Sequence, residues 1–310
     1  MIAAPSTAAI GALCAVGAAM GFTMNDMAVK YLSSDYAMHQ VIGIRSAIAI
    51  GITLLVIMPL SGGFSQIRTR RPLGHLLRGT CVVGANMAFF LALAAMPMAD
   101  ATAIFFVSPM IIAIFSVVFL KERVGPRRWV AIGFGLLGVL IMIRPGSDTF
   151  SPIALLPLLA AGLYAGLHTL TRKLGASESA VTLAFYIQLT FILFSGAMGL
   201  AIGDGRFDTG GHVSMAFLTR AWTWPAMADW PFFLITGLGS AIGGLLISQA
   251  YRICEAALIA PLEYISMPMA ILWGVFIFGD WPDSRAWAGI FLIVGSGIYM
   301  IWRETLNRAK

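Results

Sequence analysis

The sequence contains little charge and few cysteines, and these two shortages exclude several classes of protein. Only 11% of the 310 residues are charged, against about 25% in an ordinary soluble domain. Hydrophobic residues make up 59% of the chain, and the mean hydropathy is +0.87. This balance excludes a disordered chain and nearly every soluble enzyme fold. Cys14, Cys81 and Cys254 lie in or beside apolar runs without metal-ligand spacing, so we expect neither disulfides nor a metal site.

The apolar residues form runs long enough to cross a membrane, which takes about 20 residues per helix. No signal peptide is apparent, because the first 25 residues contain no Lys or Arg and the first apolar run is itself long enough to span. The sequence therefore predicts an all-α integral membrane protein with ten transmembrane helices. These lie at about 9–31, 38–60, 79–96, 100–120, 128–144, 152–172, 180–202, 232–252, 257–278 and 286–302.

The basic residues are distributed unevenly between the predicted loops. With the N-terminus placed in the cytoplasm, fourteen of the 20 Lys and Arg residues fall on the cytoplasmic side. This set includes Arg78, directly before the third span, whereas Arg45 lies within a span. The positive-inside rule then predicts that both termini are cytoplasmic. The net charge of +6 reflects this orientation, so we expect membrane lipids as neighbours and no nucleic acid partner.

The longest predicted loop, residues 203–231, contains Trp222, Trp224 and Trp230. Tryptophan favours the membrane–water interface. Either a short interfacial helix over Val213–Trp222 or a plain connecting loop fits this composition.

The chain contains an internal repeat. A shift of 158 residues aligns the two hairpins that follow the fourth and ninth spans, and a shift of 143 aligns the starts of the two halves. Each half contains five spans, an odd number, so the second half is inverted relative to the first. The sequence thus predicts two five-helix units, 1–148 and 149–310, an arrangement typical of transporters that alternate access. The aligned pairs include Glu122 with Asp280, Trp129 with Trp287, Lys30 with Lys173, Asn25 with His168, and Arg45 with Gln188.

The stretch from Ala94 to Gly146 contains a small-residue helix, the pair Ser108-Pro109, an apolar helix, a turn with Glu122 and a Gly-rich final helix. This pattern resembles the EamA-type module of the drug/metabolite transporter superfamily. In the second copy Met267 replaces Pro109, and Asp280 replaces Glu122. The resemblance implies ten helices, paired halves, a central cavity and transport of a metabolite in a bacterial inner membrane. It implies no particular substrate, and we expect no cofactor.

Asp26 and Arg45 are the clearest charges at membrane depth, where a charge needs a partner or a wet cavity. They lie at equal depth in the hairpin of the first two spans, so an ion pair between them is geometrically easy. Lys30 lies one turn from Asp26 on the same helix face. This trio either locks the hairpin or forms an outer gate and ligand anchor. In the second case Arg45 binds a carboxylate or phosphate, and Asp26 binds an amine or a proton.

Four further polar residues are candidates for the predicted path, and three of them, His168, Gln188 and Glu263, belong to its inner half. His168 either lines the cavity or is hydrogen-bonded at the interface, and Gln188 is predicted to line the cavity, as is Asn86 in the third span. Glu263, about two turns into the ninth span, suits a proton-coupling site. A structural pair with Arg252, at the end of the eighth span, is equally compatible with the sequence.

Aromatic residues are the remaining candidates for the cavity walls, since aromatic faces attract organic cations. Packing within the bundle explains any one of them as well. We include Tyr164 and Tyr264 among the predicted substrate-binding residues. The full set considered is Tyr164, Tyr186, Tyr251, Tyr264 and Trp273.

Several glycine motifs indicate packing. Gly133-x-Gly135-x-x-Gly138 matches a dinucleotide fingerprint in spacing, but that fingerprint needs a preceding strand. Inside a membrane helix, small residues allow neighbouring helices to approach closely. The same holds for the pairs Gly17/Gly21 and Gly239/Gly243.

The sequence thus predicts a secondary transporter for a small polar or zwitterionic metabolite that is amino-acid-like, an amine or an organic acid. Export is slightly favoured, and proton coupling would involve Glu263 or Asp26. An ungated facilitator is the nearest alternative. An integral-membrane transferase is disfavoured because the four histidines are spread over four segments. We therefore expect that this protein is not an enzyme. A monomer and a homodimer both remain open.

Overall fold

A computed structural model describes residues 7–121, 126–143, 151–174, 178–208, 210–254 and 259–308. Its regular elements are all helical. The helices are α1 (Thr7–Leu32), α2 (Met38–Ile52), α3 (Met58–Leu60), α4 (Pro72–Ala95), α5 (Met98–Phe105), α6 (Ser108–Leu120), α7 (Pro126–Ile143), α8 (Leu155–Leu174), α9 (Ala180–Ile202), α10 (Val213–Thr219), α11 (Trp230–Ile253), α12 (Ser266–Phe278) and α13 (Ser284–Arg308). A π-helical turn, Thr53–Ile57, joins α2 to α3, and a 3₁₀ segment, Ala260–Ile265, leads into α12.

Seven helical segments are long and apolar enough to cross a membrane. Three shorter apolar helical segments, Gly133–Met142, Leu262–Phe278 and Ser284–Ser296, fall where the sequence predicts the fifth, ninth and tenth spans. The predicted all-α membrane architecture is therefore confirmed. The seven are Thr7–Leu32, Met38–Leu60, Pro72–Ala95, Met98–Phe119, Pro152–Leu174, Ala180–Ile202 and Met227–Ile253.

The third span begins earlier than predicted, and this changes the position of Arg78. Helix α4 starts at Pro72 rather than near Gly79, because proline fits the first turn of a helix, where its missing N–H is not needed. Arg78 therefore lies almost two turns inside the helix and is only 2% exposed. The prediction that Arg78 precedes the third span was wrong.

The fourth span is interrupted in its middle. Helix α5 ends at Phe105 and α6 begins at Ser108, with Pro109 in the first turn of α6. Proline has no N–H to donate, so it begins a new helix more readily than it continues one. The ninth span is irregular at the corresponding place, where the 3₁₀ segment Ala260–Ile265 precedes α12. Both interruptions lie beside the central cavity.

The long loop of residues 203–231 contains the short helix α10. Of the two predicted alternatives, a short helix and a plain connecting loop, the structure therefore shows the helix. We call residues 203–208 and 210–229 the cap. The cap is tied to the last turns of α4 and to the turn between α1 and α2: the Oγ of Ser214 donates to the Leu91 carbonyl at 2.7 Å, and the Tyr36 hydroxyl donates to the Asp229 carboxylate at 2.6 Å. Phe217 of α10 is fully buried. The cap thus closes one end of the bundle.

Glycines bring α1 and α11 into close contact, as the motif predicted. A Cβ added at Gly239 would lie only 2.5 Å from the Gly21 carbonyl oxygen, and one added at Gly21 would lie 3.7 Å from the Gly243 Cα. Gly138 packs in the same way against Gly289 of α13. These glycines serve helix packing. By contrast, Glu122 and Arg123, which belong to the hairpin used in the repeat comparison, lie outside the described residues.

The α1–α11 contact gives a test of this packing. We expect Gly239→Ala to lower stability by about 1–3 kcal/mol, because the added methyl group would overlap backbone that has no room to move. Gly162→Ala in α8 is the matched control, since nothing lies within 4 Å of its added Cβ and alanine favours helix by up to about 1 kcal/mol. Melting curves in detergent measure both, and equal melting temperatures would contradict the packing role.

Candidate substrate-binding cavity

A cavity of about 130 Å³ lies in the centre of the bundle. A water molecule needs about 10–15 Å³ of such space, so several waters or part of a small ligand fit. The walls are mainly apolar, with a few polar groups pointing inward, as in small-molecule sites. Seven of the eight predicted substrate-binding residues line it, namely Asp26, Arg45, Asn86, Tyr164, His168, Gln188 and Glu263.

Arg45 enters the cavity from α2 and is only 2% exposed. Its Nη1 donates to the Asn86 Oδ1 at 3.3 Å. Its Cζ lies 4.5 Å from the centre of the Phe191 ring and 5.3 Å from that of Phe90. Cation–π contacts of this kind strengthen when water is excluded. The charge is thus held by two rings and one amide.

Asp26 faces the same cavity from α1. Its Oδ1 accepts a hydrogen bond of 2.9 Å from the Asn25 side-chain amide. Within the described part of the chain, Asp26 and Arg45 are each hydrogen-bonded to an amide, with no ion pair within 4 Å between them. The predicted hairpin ion pair is thus not formed as a direct contact, but the two charges share the cavity and attract one another across it.

Lys30 lies away from Asp26 and Arg45. Its Nζ donates to the Met96 carbonyl at 2.8 Å and to the Leu93 carbonyl at 3.1 Å, and lies 3.8 Å from the Asp280 carboxylate. Cations near the last turn of a helix satisfy carbonyls that have no partner within that helix. Lys30 thus ties the end of α1 to the end of α4 and to the α12–α13 turn. We call this set of contacts the Lys30 latch.

Glu263 is held by tyrosine hydroxyls. Tyr164 donates to its Oε2 at 2.5 Å, and Tyr251 donates to its Oε1. The His168 ring stacks on Tyr251, with centroids 3.9 Å apart, and meets Tyr164 edge-on at 4.1 Å. Arg252, the alternative partner, donates instead to the Gln249 Oε1 at 3.0 Å.

The remaining aromatic candidates have their contacts outside the cavity wall. The Tyr264 hydroxyl donates to the Phe106 carbonyl at 3.1 Å, behind the wall. Tyr186 stacks on His75 and donates to the Ile67 carbonyl. Trp273 packs against the core. None of these three is among the cavity-lining side chains that the structure describes.

Among the charged residues of the cavity wall, sequence reasoning missed Arg78; it also missed uncharged polar residues such as Thr102 and Ser240. The Arg78 Nε donates to the Thr171 Oγ1 at 2.7 Å, its Nη1 to the Leu183 carbonyl at 2.6 Å and its Nη2 to the Ser248 Oγ at 3.1 Å. One guanidinium group therefore joins α4 to α8, α9 and α11. The proline at position 72, a helix-start signal, would have placed Arg78 inside the third span.

Several buried polar atoms of the cavity-lining residues have no hydrogen-bond partner among the described residues. Leaving such an atom unpaired costs about 1–3 kcal/mol, so water or a polar ligand is expected to supply the missing bonds. A small polar molecule can therefore bind here without displacing protein hydrogen bonds. The atoms are Asn25 Oδ1, Arg45 Nε and Nη2, Thr102 Oγ1, both ring nitrogens of His168, and Gln188 Oε1.

Arg78 is expected to stabilise the fold. Replacing it with Gln would remove a charge whose three donors all have partners, and we expect a loss of about 3 kcal/mol or more. Arg70→Gln is the control, because Arg70 is exposed. Melting temperature and the yield of monodisperse protein report the effect. An Arg78→Gln variant as stable as the control would show that these hydrogen bonds make no net contribution to the stability of the fold.

Comparison with known proteins finds similarity between this chain and transporters. Residues 9–144 match the model of the EamA-like transporter family. A riboflavin transporter from Rhizobium johnstonii is 28% identical over 99% of this chain and 95% of its own. An S-adenosylmethionine uptake transporter from Rickettsia bellii is 25% identical, covering 92% and 91%. A pseudopaline exporter from Pseudomonas aeruginosa is 27% identical, covering 92% and 93%.

The fold also has a counterpart among solved structures. One crystal structure of a protein aligns with a TM-score of 0.66 and 17% identity, covering 97% of this chain and 98% of the other. Identity at this level shows a shared fold and nothing about function. Residues 9–144 are thus similar to the EamA-like transporter family, and nearly the whole chain is similar to transporters.

Proposed function

We propose that this protein is a secondary transporter that moves a small polar or zwitterionic metabolite across a bacterial inner membrane by alternating access. The convergence of polar side chains with unpartnered atoms on one buried cavity is the main support. The relatives named for riboflavin, S-adenosylmethionine and pseudopaline support a metabolite as substrate. They include both an uptake transporter and an exporter, so both directions of transport need to be measured.

The packing of the helices supports two inverted five-helix units, 1–148 and 149–310. Under the repeat, α1 corresponds to α8, α2 to α9, α4 to α11 and α6 to α12. Helix α1 packs on α11, and its counterpart α8 packs on α4. Likewise α1 packs on α12 as α8 packs on α6, and α11 packs on α2 as α4 packs on α9. Matched contacts of this kind let two inverted units exchange roles as the cavity opens to either side.

Similar latches at the two ends of the bundle support this exchange. Lys30 donates to the Met96 carbonyl at the end of α4. Arg172, which precedes the repeat counterpart of Lys30, donates at 2.9 Å to the Cys254 carbonyl at the end of α11. Cys254 is the counterpart of Met96 under the 158-residue shift. With both termini cytoplasmic, as the basic residues favour, the Lys30 latch closes the outer side and Arg172 lies on the inner side.

Glu263 is the proposed proton-coupling residue, with Asp26 as a second candidate. The Glu263 carboxyl group lies in the cavity, and both of its oxygens accept hydrogen bonds from tyrosines. A carboxyl group enclosed in this way can carry a proton between the two sides when the cavity changes its opening. Ionisable groups inside membrane bundles often mark such proton pathways.

Transport by purified protein in liposomes tests the proposed function. We expect saturable uptake of at least one member of a panel of amino acids, amines, organic acids, riboflavin and S-adenosylmethionine, with a rate that depends on an imposed pH gradient. Glu263→Gln should remove the gradient dependence, because the amide cannot carry the proton. Asp204→Asn, in the exposed cap, should behave as wild type. Transport by the wild type that does not depend on the pH gradient would favour a facilitator. No transport of any compound in the panel would contradict metabolite transport.

The Lys30 latch gives a second test. Lys30→Gln weakens the bonds to two carbonyls and removes the ion pair, whereas Asp280→Asn removes only the ion pair. We therefore expect a larger change in transport rate for Lys30→Gln, roughly tenfold, with Asp280→Asn nearer to wild type because partly exposed ion pairs contribute about 1 kcal/mol or less. Equal rates in all three proteins would exclude a gating role.

A further inference from the structure

Arg45 lines the cavity, and one edge of its guanidinium group has no hydrogen-bond partner among the described residues. Nη1 is bound to Asn86, but the buried Nε and Nη2 have no partner within the described residues. These two nitrogens lie on the same edge of the planar group, so their N–H bonds point the same way. They form a bidentate hydrogen-bond donor for which the described residues provide no acceptor.

The chemistry of this edge selects a particular ligand group. Parallel N–H donors match two oxygen atoms of one anion, and such paired bonds are among the strongest in proteins. The rings of Phe90 and Phe191 pack on the guanidinium group, which leaves the Nε–Nη2 edge as its free donors. Arg45 thus suits a group with two oxygens in one plane.

The charges around the cavity favour a carboxylate over a phosphate. The only other described arginine in the wall is Arg78, whose three donor nitrogens all have protein acceptors. One cation with unused donors balances one negative charge better than the almost two that a phosphate monoester carries. Asp26 and Glu263 line the same cavity, and their carboxyl groups repel a doubly charged anion more strongly than a singly charged one.

We propose that Arg45 binds the carboxylate group of the transported substrate through paired hydrogen bonds from Nε and Nη2. This inference rests on the proposed transport function and narrows its substrate class to organic and amino acids. The surrounding phenylalanines, Phe89, Phe105 and Phe106, suit an apolar or aromatic body behind that group. An amino group beside the carboxylate would find an acceptor in Asp26.

Three probes with one ring and different head groups test the assignment. Phenylacetate, phenyl phosphate and 2-phenylethanol are titrated against the full-length protein in detergent, and the melting temperature is recorded, since a ligand that binds the folded state raises it. We expect phenylacetate to stabilise the wild type most. Arg45→Lys, which keeps the charge but loses the paired geometry, should weaken this effect by roughly tenfold to a hundredfold in apparent affinity. Arg70→Gln should not change it.

Two results would overturn the proposal. Stronger stabilisation by phenyl phosphate would assign the site to phosphate, and equal stabilisation by all three probes would show that the paired donors are unused. Unchanged binding of phenylacetate in Arg45→Lys would likewise show that the paired donors of Arg45 are unused.

A measurement on the wild type alone keeps the test valid if an Arg45 variant fails to fold. Phenylglyoxal modifies arginine and blocks tryptic cleavage after it, so mass spectrometry can follow the reaction at Arg45. We expect phenylacetate, but not 2-phenylethanol, to slow modification at Arg45, with Arg70 as the unprotected internal control. Equal modification rates at Arg45 with and without phenylacetate would contradict the site.

The same proteins separate this inference from the transport proposal. Carboxylate binding that needs Arg45, in liposomes that transport nothing, would leave the site intact and overturn transport. Saturable transport that uncharged metabolites share and that Arg45→Lys leaves unchanged would support transport and overturn the carboxylate site.

Discussion

Burial of charge in an apolar bundle is the constraint on which the rest of this structure depends. A guanidinium or carboxyl group at membrane depth must find protein partners or a wet cavity. Arg78 finds three acceptors on three neighbouring helices, and Glu263 finds two tyrosines. These contacts fix how α4, α8, α9 and α11 surround the central space, and the glycines between α1 and α11 complete the wall.

The two buried arginines differ in how many of their guanidinium nitrogens have a hydrogen-bond acceptor in the protein, and this difference suggests different roles for them. All three donor nitrogens of Arg78 have protein acceptors, so Arg78 fastens helices together. Arg45 keeps Nε and Nη2 free in the same cavity. A buried donor without a partner is costly, and it is compatible with a stable fold when a ligand or water fills the position. Arg45 therefore fits a binding role that Arg78 does not.

The proposed mechanism rests on the proposed duplication of one helical unit in opposite orientations. The 3₁₀ segment before α12 and the break between α5 and α6 lie at matching positions under that repeat, and both bring irregular backbone to the cavity. Lys30 and Arg172 each donate to a carbonyl at a helix end, and the proposed repeat makes these two ends equivalent. Under the proposal, these two contacts are related closures around one cavity, and opening one of them need not disturb the polar groups in the middle.

The sequence by itself determined the membrane class, the positions of the apolar helices and most of the polar residues in the cavity. Hydropathy and helical spacing are local properties, and a charge inside an apolar run such as Asp26, Arg45 or Glu263 has few places to lie. Only the tertiary structure decided which groups meet. Lys30 contacts Asp280, 250 positions away, and Glu263 binds Tyr164 and Tyr251 rather than Arg252. A partner is chosen by the packing of whole helices, which no short stretch of sequence encodes.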